Sequence, residues 1–147
     1  MKEINHEYYV SLEVAKLLKE AGFDWRCSGI YVLDSENDPE YVFSTANFTN
    51  TSKEIEGYIR LSAPTLDVAQ RWLREVKGMI LNITFDARTN KNHSYSYDGV
   101  WYKNGFVIQY FGMVTNYVDG YPHGFETYEQ ALESCIQKCL TILLKEK

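Results

Sequence analysis

Apolar positions along the chain follow two different periods, and the switches between them predict the elements. From Leu12 to Ala21, Val14, Leu17, Leu18 and Ala21 recur at i, i+3, i+4 and i+7, the stripe of an amphipathic helix. Ser11 can cap it, Gly22 can close it, and Phe23 can fold back on the stripe as a Schellman contact. A second helix is predicted over Leu66 to Lys77, with Val68, Ala69, Trp72, Leu73 and Val76 on its buried face. A third runs from Tyr128 to about Leu144, its stripe made by Leu132, Cys135, Ile136, Cys139, Leu140 and Leu143.

Between the helices the period falls to two. "MILNITFDA" alternates cleanly, with Leu81, Ile83 and Phe85 facing one way and Asn82, Thr84 and Asp86 the other. Short strands are expected at Ile30 to Leu33, Tyr41 to Ser44 and Tyr58 to Leu61, with an Asp/Ser/Asn/Pro turn between the first two. The Asn/Thr/Ser-rich stretch Thr45 to Glu56 reads as a loop. Asp98-Gly99 and Asn104-Gly105 are hairpin signals, so Ser94 to Thr115 reads as a short meander. "NYVDGYPHGF" reads as a Gly/Pro loop. The resulting order, α-ββ-α-βββ-α with hairpin connections, predicts an α+β fold, a mostly antiparallel sheet with about three helices packed on it. The length of 147 residues fits one domain, residues 1–147.

The helix starts share a plan. "SLEVA", "TLDVA" and "TYEQA" each place a hydroxyl at the cap, a bulky residue next and a carboxylate after it. Good capping accounts for this without an internal duplication. In the second helix, Asp67, Arg71 and Glu75 then step along one face at i, i+4, a ladder of alternating sign. A helix that reads nucleic acid seldom carries a carboxylate on its first turn. The expectation is a packing helix with Trp72 buried and Arg71 facing solvent.

Charge adds a restriction. Fifteen Lys and Arg against twenty Asp and Glu leave a net charge of −5, and the basic stretches, Arg71 to Lys77 and Arg88 to Lys91, are short. Nucleic-acid binding is therefore disfavoured, though it stays open as an alternative. No apolar run is long enough to span a bilayer, and no signal-peptide core interrupts the charged start, so no membrane partner is expected. Three Cys without framework spacing suit a reducing compartment. The expected location is cytoplasmic, where the sequons at Asn47, Asn50, Asn82 and Asn92 carry no glycosylation meaning.

Candidate chemistry is sparse. Cys135 and Cys139 lie one helical turn apart and could share a metal, but a closed zinc site needs a second pair of ligands, and both thiols sit on the apolar stripe. Cys27 has no helix N-terminus or local base to activate it. His6, His93 and His123 are scattered. Asp34, Glu36, Asp38 and Glu40 crowd one turn but lack the glycine of a calcium loop. No phosphate-binding, dinucleotide or zincin motif occurs. No catalytic residue, metal ligand or cofactor is assigned. A small hydrolase or metal-dependent enzyme remains the lesser alternative.

Aromatics make up 15% of the chain, twelve of them Tyr. Tyr95, Tyr97, Trp101, Tyr102 and Tyr110 fall on the meander, and Tyr117 and Tyr121 in the loop after it. Alternation puts about half of the meander aromatics on the sheet face away from the helices, where they either cover the sheet or meet a partner. Trp101, Tyr110, Tyr117 and Tyr121 are the candidate binding residues, the partner being another protein.

"VSLEVAKLLKEAGFDW", "SAPTLDVAQRWLREVKG" and "FETYEQALESCIQKCLTIL" together resemble a family of small uncharacterised proteins encoded by phages, prophages and mobile elements of gut anaerobic bacteria. The resemblance covers about half the chain and lies in capping and packing patterns, so it carries over no functional residue. What it implies is context: an intracellular accessory protein acting on host or element proteins. The preferred reading of the chain is a non-enzymatic interaction protein of such an element.

Overall fold

The computed structural model describes residues 8–33, 39–50, 58–86, 94–112, 116–118 and 121–146; for 39–47, 116–118 and 121–123 the description is of the backbone. The fold is α+β. Helix α1 (Leu12–Ala21) leads to strands β1 (Cys27–Leu33), β2 (Pro39–Phe48) and β3 (Ile59–Ser62). Helix α2 (Leu66–Trp72) runs into a π-helical turn (Leu73–Lys77), then β4 (Met79–Phe85), β5 (Tyr95–Lys103) and β6 (Phe106–Gly112). Two short strands, β7 (Asn116–Val118) and β8 (Tyr121–His123), precede α3 (Tyr128–Lys145). The strands form two antiparallel three-stranded sheets, ordered β2-β1-β3 and β4-β5-β6, and a two-stranded β7-β8 ribbon. The chain groups into two compact units, Met1–Ala69 with Leu140–Lys147, and Gln70–Cys139.

All three predicted caps are made. The Ser11 hydroxyl accepts from the Val14 amide, Thr65 from Val68, and Thr127 from Gln130, whose side chain accepts in return from the Thr127 amide. That last pair is a capping box. At the end of α1 the Gly22 and Phe23 amides donate to Lys19 and Leu18, and Phe23 is buried, which is the expected Schellman closure.

In the first unit, β1 pairs along β2 through Ile30–Val42 and Tyr31–Tyr41, and along β3 through Ile30–Ser62 and Tyr31–Leu61. The stretch from Thr45 was expected to be loop, but β2 continues to Phe48. Composition misled there, because Phe48 is buried, pairs with Cys27, and carries the Arg60 guanidinium over its ring at 4.9 Å. Glu40 belongs to β2 and not to a turn, while Asp34, Glu36 and Asp38 lie outside the described residues, as do His6, His93, Asn92 and the basic stretch Arg88 to Lys91. Asn50 ties the sheet to the end of α1. Its amide donates to the Phe23 carbonyl and accepts from the Ser62 amide, both at 2.9 Å.

The second predicted helix keeps its span and changes its winding. Trp72 is 1% exposed and Leu73 fully buried, but Val76, expected beside them, is 51% exposed. A π turn closes on the fifth residue and so advances less per residue, which carries Val76 off the buried stripe. Arg71 faces solvent and pairs with Glu75 at 4.0 Å, as the ladder implied.

In the second unit, β4 and β5 pair from Met79–Trp101 to Phe85–Tyr95, and β5 and β6 from Lys103–Phe106 to Asp98–Gly112. Asn104 and Gly105 both have positive φ, 54° and 80°, so this dipeptide is the type I′ turn the sequence announced. Asp98-Gly99 is not a turn; it lies in mid-strand. A Cβ on Gly99 would meet the Phe111 ring and come within 2.9 Å of the Ile80 carbonyl oxygen, so glycine is there to seat Phe111. The expected loop after β6 contains the β7-β8 ribbon, where Tyr117 pairs with Pro122 and Val118 with Tyr121.

Two glycines should separate cleanly in equilibrium urea unfolding. Gly78 has φ 72° and faces the Tyr102 backbone carbonyl, whereas Gly105 has φ 80° and open space. Gly105→Ala is expected to cost about 1 kcal/mol from backbone strain alone. Gly78→Ala adds a backbone collision and is expected to cost about 2–4 kcal/mol.

Candidate functional site

Cross-strand partners share a face, so the β4-β5-β6 register sorts every aromatic of the meander. One face carries Met79 with Trp101, Leu81 with Gly99 and Phe111, then Ile83 with Tyr97 and Phe85 with Tyr95. Met79, Leu81, Trp101 and Phe111 are buried. Trp101 was expected among the binding residues; it is 8% exposed, and its indole N–H donates to the Lys77 carbonyl at 3.0 Å. It serves the core. Towards the far end of the same face, Phe85 packs on Tyr95 (5.2 Å between centroids), Tyr95 meets Tyr128 edge-on at 6.3 Å, and Tyr97 stacks on Phe125 at 6.2 Å. Tyr95 and Phe125 also exchange backbone hydrogen bonds. Three meander aromatics, Tyr95, Tyr97 and Trp101, thus point inward.

The opposite face holds the row Ile80–Val100–Tyr110 and, beyond it toward the hairpin tip, Tyr102 paired with Val107. The rows away from the tip are polar: Asn82 with Asp98 and Thr84 with Ser96, the Asn82 amide reaching the Thr84 hydroxyl at 3.3 Å. Tyr110 is 77% exposed, and Ile80, Tyr102 and Val107 are exposed with it. Of the four candidate residues, Tyr110 alone is placed on an open surface by a described side chain. Tyr117 and Tyr121 are placed by backbone only.

The missed residues are Phe106, Val107 and Ile108. They are consecutive and all exposed, Phe106 at 76%, so strand alternation fails at the start of β6. Pairing jumps from Trp101–Gln109 to Tyr102–Val107, which leaves Ile108 as the extra residue of a bulge. A readable signal existed: no charged residue occurs between Lys103 and Asp119.

Among the described residues no group of three His, Cys, Asp or Glu could hold a metal ion. Cys135 and Cys139 are buried on α3, with the Cys135 thiol 4.0 Å from the Asp98 carbonyl. Burial, then the Cys135 neighbour, pushes the Cys139 thiol far up, which keeps it protonated. Burial likewise raises the Tyr97 phenol, with the two thiols adding to it. Cys27 donates to the Gly29 carbonyl at 3.3 Å, and burial raises its thiol as well. Cations are engaged locally too: Arg71 on Glu75, and Lys77 over the Trp72 ring at 5.4 Å. No helix among the described residues is long and apolar enough to cross a membrane.

Comparison of the chain with protein-family models, with curated proteins and with solved structures finds no match in any of the three.

Thiol chemistry checks this site description. In the native chain Cys135 and Cys139 are expected to be inert to an aromatic disulfide reagent, and all three thiols to react in denaturant. Because the folded Cys139 value lies above the unfolded one, its contribution to stability is complete below about pH 8.5 and declines as pH rises above it. A melting temperature that climbs between neutral pH and pH ~10 would contradict the assignment, since the unfolded thiol ionises first.

Proposed function

We propose that this chain is a non-enzymatic accessory protein, cytoplasmic and encoded by a mobile element, that binds a protein partner. The binding surface is the apolar half of the β4-β5-β6 sheet with the β5–β6 hairpin: Ile80, Tyr102, Phe106, Val107, Ile108 and Tyr110. The mobile-element setting rests on the three helix segments that resemble such proteins. The single observation carrying the binding role is the exposed run from Phe106 to Tyr110, four large apolar side chains with Gln109 among them, on a strand with no charge. Contiguous exposed apolar surface of this kind is the usual mark of an interaction site. Nucleic acid is the disfavoured partner for this surface, because Lys103 at the tip is the only cation of the three strands, and phosphate contacts need several.

A photo-crosslinking amino acid placed at position 110 tests this in cells, with position 138, exposed on α3, as control. The expected outcome is a discrete protein adduct from position 110 and none from 138. No adduct at 110, or the same adducts from both positions, would refute the proposal.

A further inference from the structure

Resting on that reading, we infer that the partner is a second copy of this chain, docked with its β5–β6 hairpin against the hairpin of the first. Three observations lead there. The first concerns charge. A two-fold contact sets one patch against itself, so any net charge on the patch meets its like. A chain of net charge −5 has little surface that tolerates this, yet the stretch from Asn104 to Val118 carries no charge at all. The apolar half of that face can meet itself without setting like charge on like: Lys103 shares the Trp101 face, and Asp98 lies in the polar rows away from the tip.

The second is area. At their observed exposures, Ile80, Tyr102, Val107 and Tyr110, which share the face away from Trp101, offer on the order of 450 Å² per copy, since a large aromatic covers ~200 Å². With Ile108 beside them, two copies would bury about 1,000 Å² in total, the low end of specific interfaces and the size of a weak dimer. The third observation selects the mode of contact. The bulge at Ile108 interrupts the hydrogen-bonding row of the β6 edge, which works against adding a continuous fourth strand to this sheet. Side chains, exposed at all five positions from Phe106 to Tyr110 around that bulge, make the contact instead, those of the outer face foremost.

Light scattering or sedimentation equilibrium of the full chain reads the outcome directly. Wild-type mass is expected to rise from 17.1 kDa toward twice that value across the micromolar range. Val107→Lys and Tyr110→Lys should each stay at monomer mass, because each sets a new like charge within the two-fold contact. Circular dichroism checks that they fold; should either fail, Val107→Ser on the same exposed face replaces it. A wild-type chain that stays monomeric, variants that dimerise as well as wild type, or growth beyond a dimer would each overturn self-association. A monomeric wild type that still gives a position-110 adduct with a different protein would sink this inference alone and leave the proposed function standing.

Discussion

The Gln70–Cys139 unit turns on one joint, where the π-helical turn hands over to β4. Gly78 sits there with φ 72°, its carbonyl accepting the Tyr102 amide at 2.8 Å. One residue earlier, the Lys77 carbonyl accepts the Trp101 indole at 3.0 Å. Two successive carbonyls are thereby bound to two successive residues of β5. No side chain fits at position 78, because a Cβ would strike the Tyr102 carbonyl. The joint pins Met79 opposite Trp101, and every later pair of that ladder follows from it.

Register is what gives the sheet two unlike faces. A slip of one residue would turn Trp101 outward and Tyr102 inward, exchanging the buried set for the exposed one. As built, Gly99 lets the Phe111 ring lie across β5, and Met79, Leu81 and Trp101 fill the same side. Ile80, Val100 and Tyr110 are left on the other. The exposed apolar strip is thus the geometric complement of the core row, set by the same pairing. Fixing one fixes the other.

Local chemistry was the legible part of this fold. Ser11, Thr65 and Thr127 announce helix starts because a hydroxyl cap depends on residues three positions away, and Asn104-Gly105 announces a hairpin because both positions need positive φ. What escaped depends on distant partners. Asp98-Gly99 has the composition of a turn, and only Phe111, reached through another strand, explains its glycine. Phe48 extends β2 through polar neighbours because its burial lies in the pairing with β1. Val76 left the buried stripe for a change of winding that the helical period cannot encode. Of the candidate residues, Tyr110 lies on the open face and Trp101 lies in the core instead. Alternation says that the two faces differ, but the identity of the inner one is decided at the Gly78 joint.

The β5–β6 hairpin is where sequence rules agree on structure and disagree on surface. Its turn is the favoured type, its strands are rich in β-formers, and its pairing is regular up to the Ile108 bulge. A segment so well specified is not apolar by neglect. Soluble sheets ordinarily defend an edge with a lysine or a carboxylate, and a single charge in place of Val107 or Gln109 would disturb no core contact, since both positions are exposed. The bulge supplies one defence, against open-ended strand addition, while the defence by charge is missing. An edge guarded against endless growth yet left apolar suits a contact that closes after one partner. Departures from local rules collect where a surface has work beyond folding, and in this chain the clearest departure among the described residues runs from Phe106 to Tyr110.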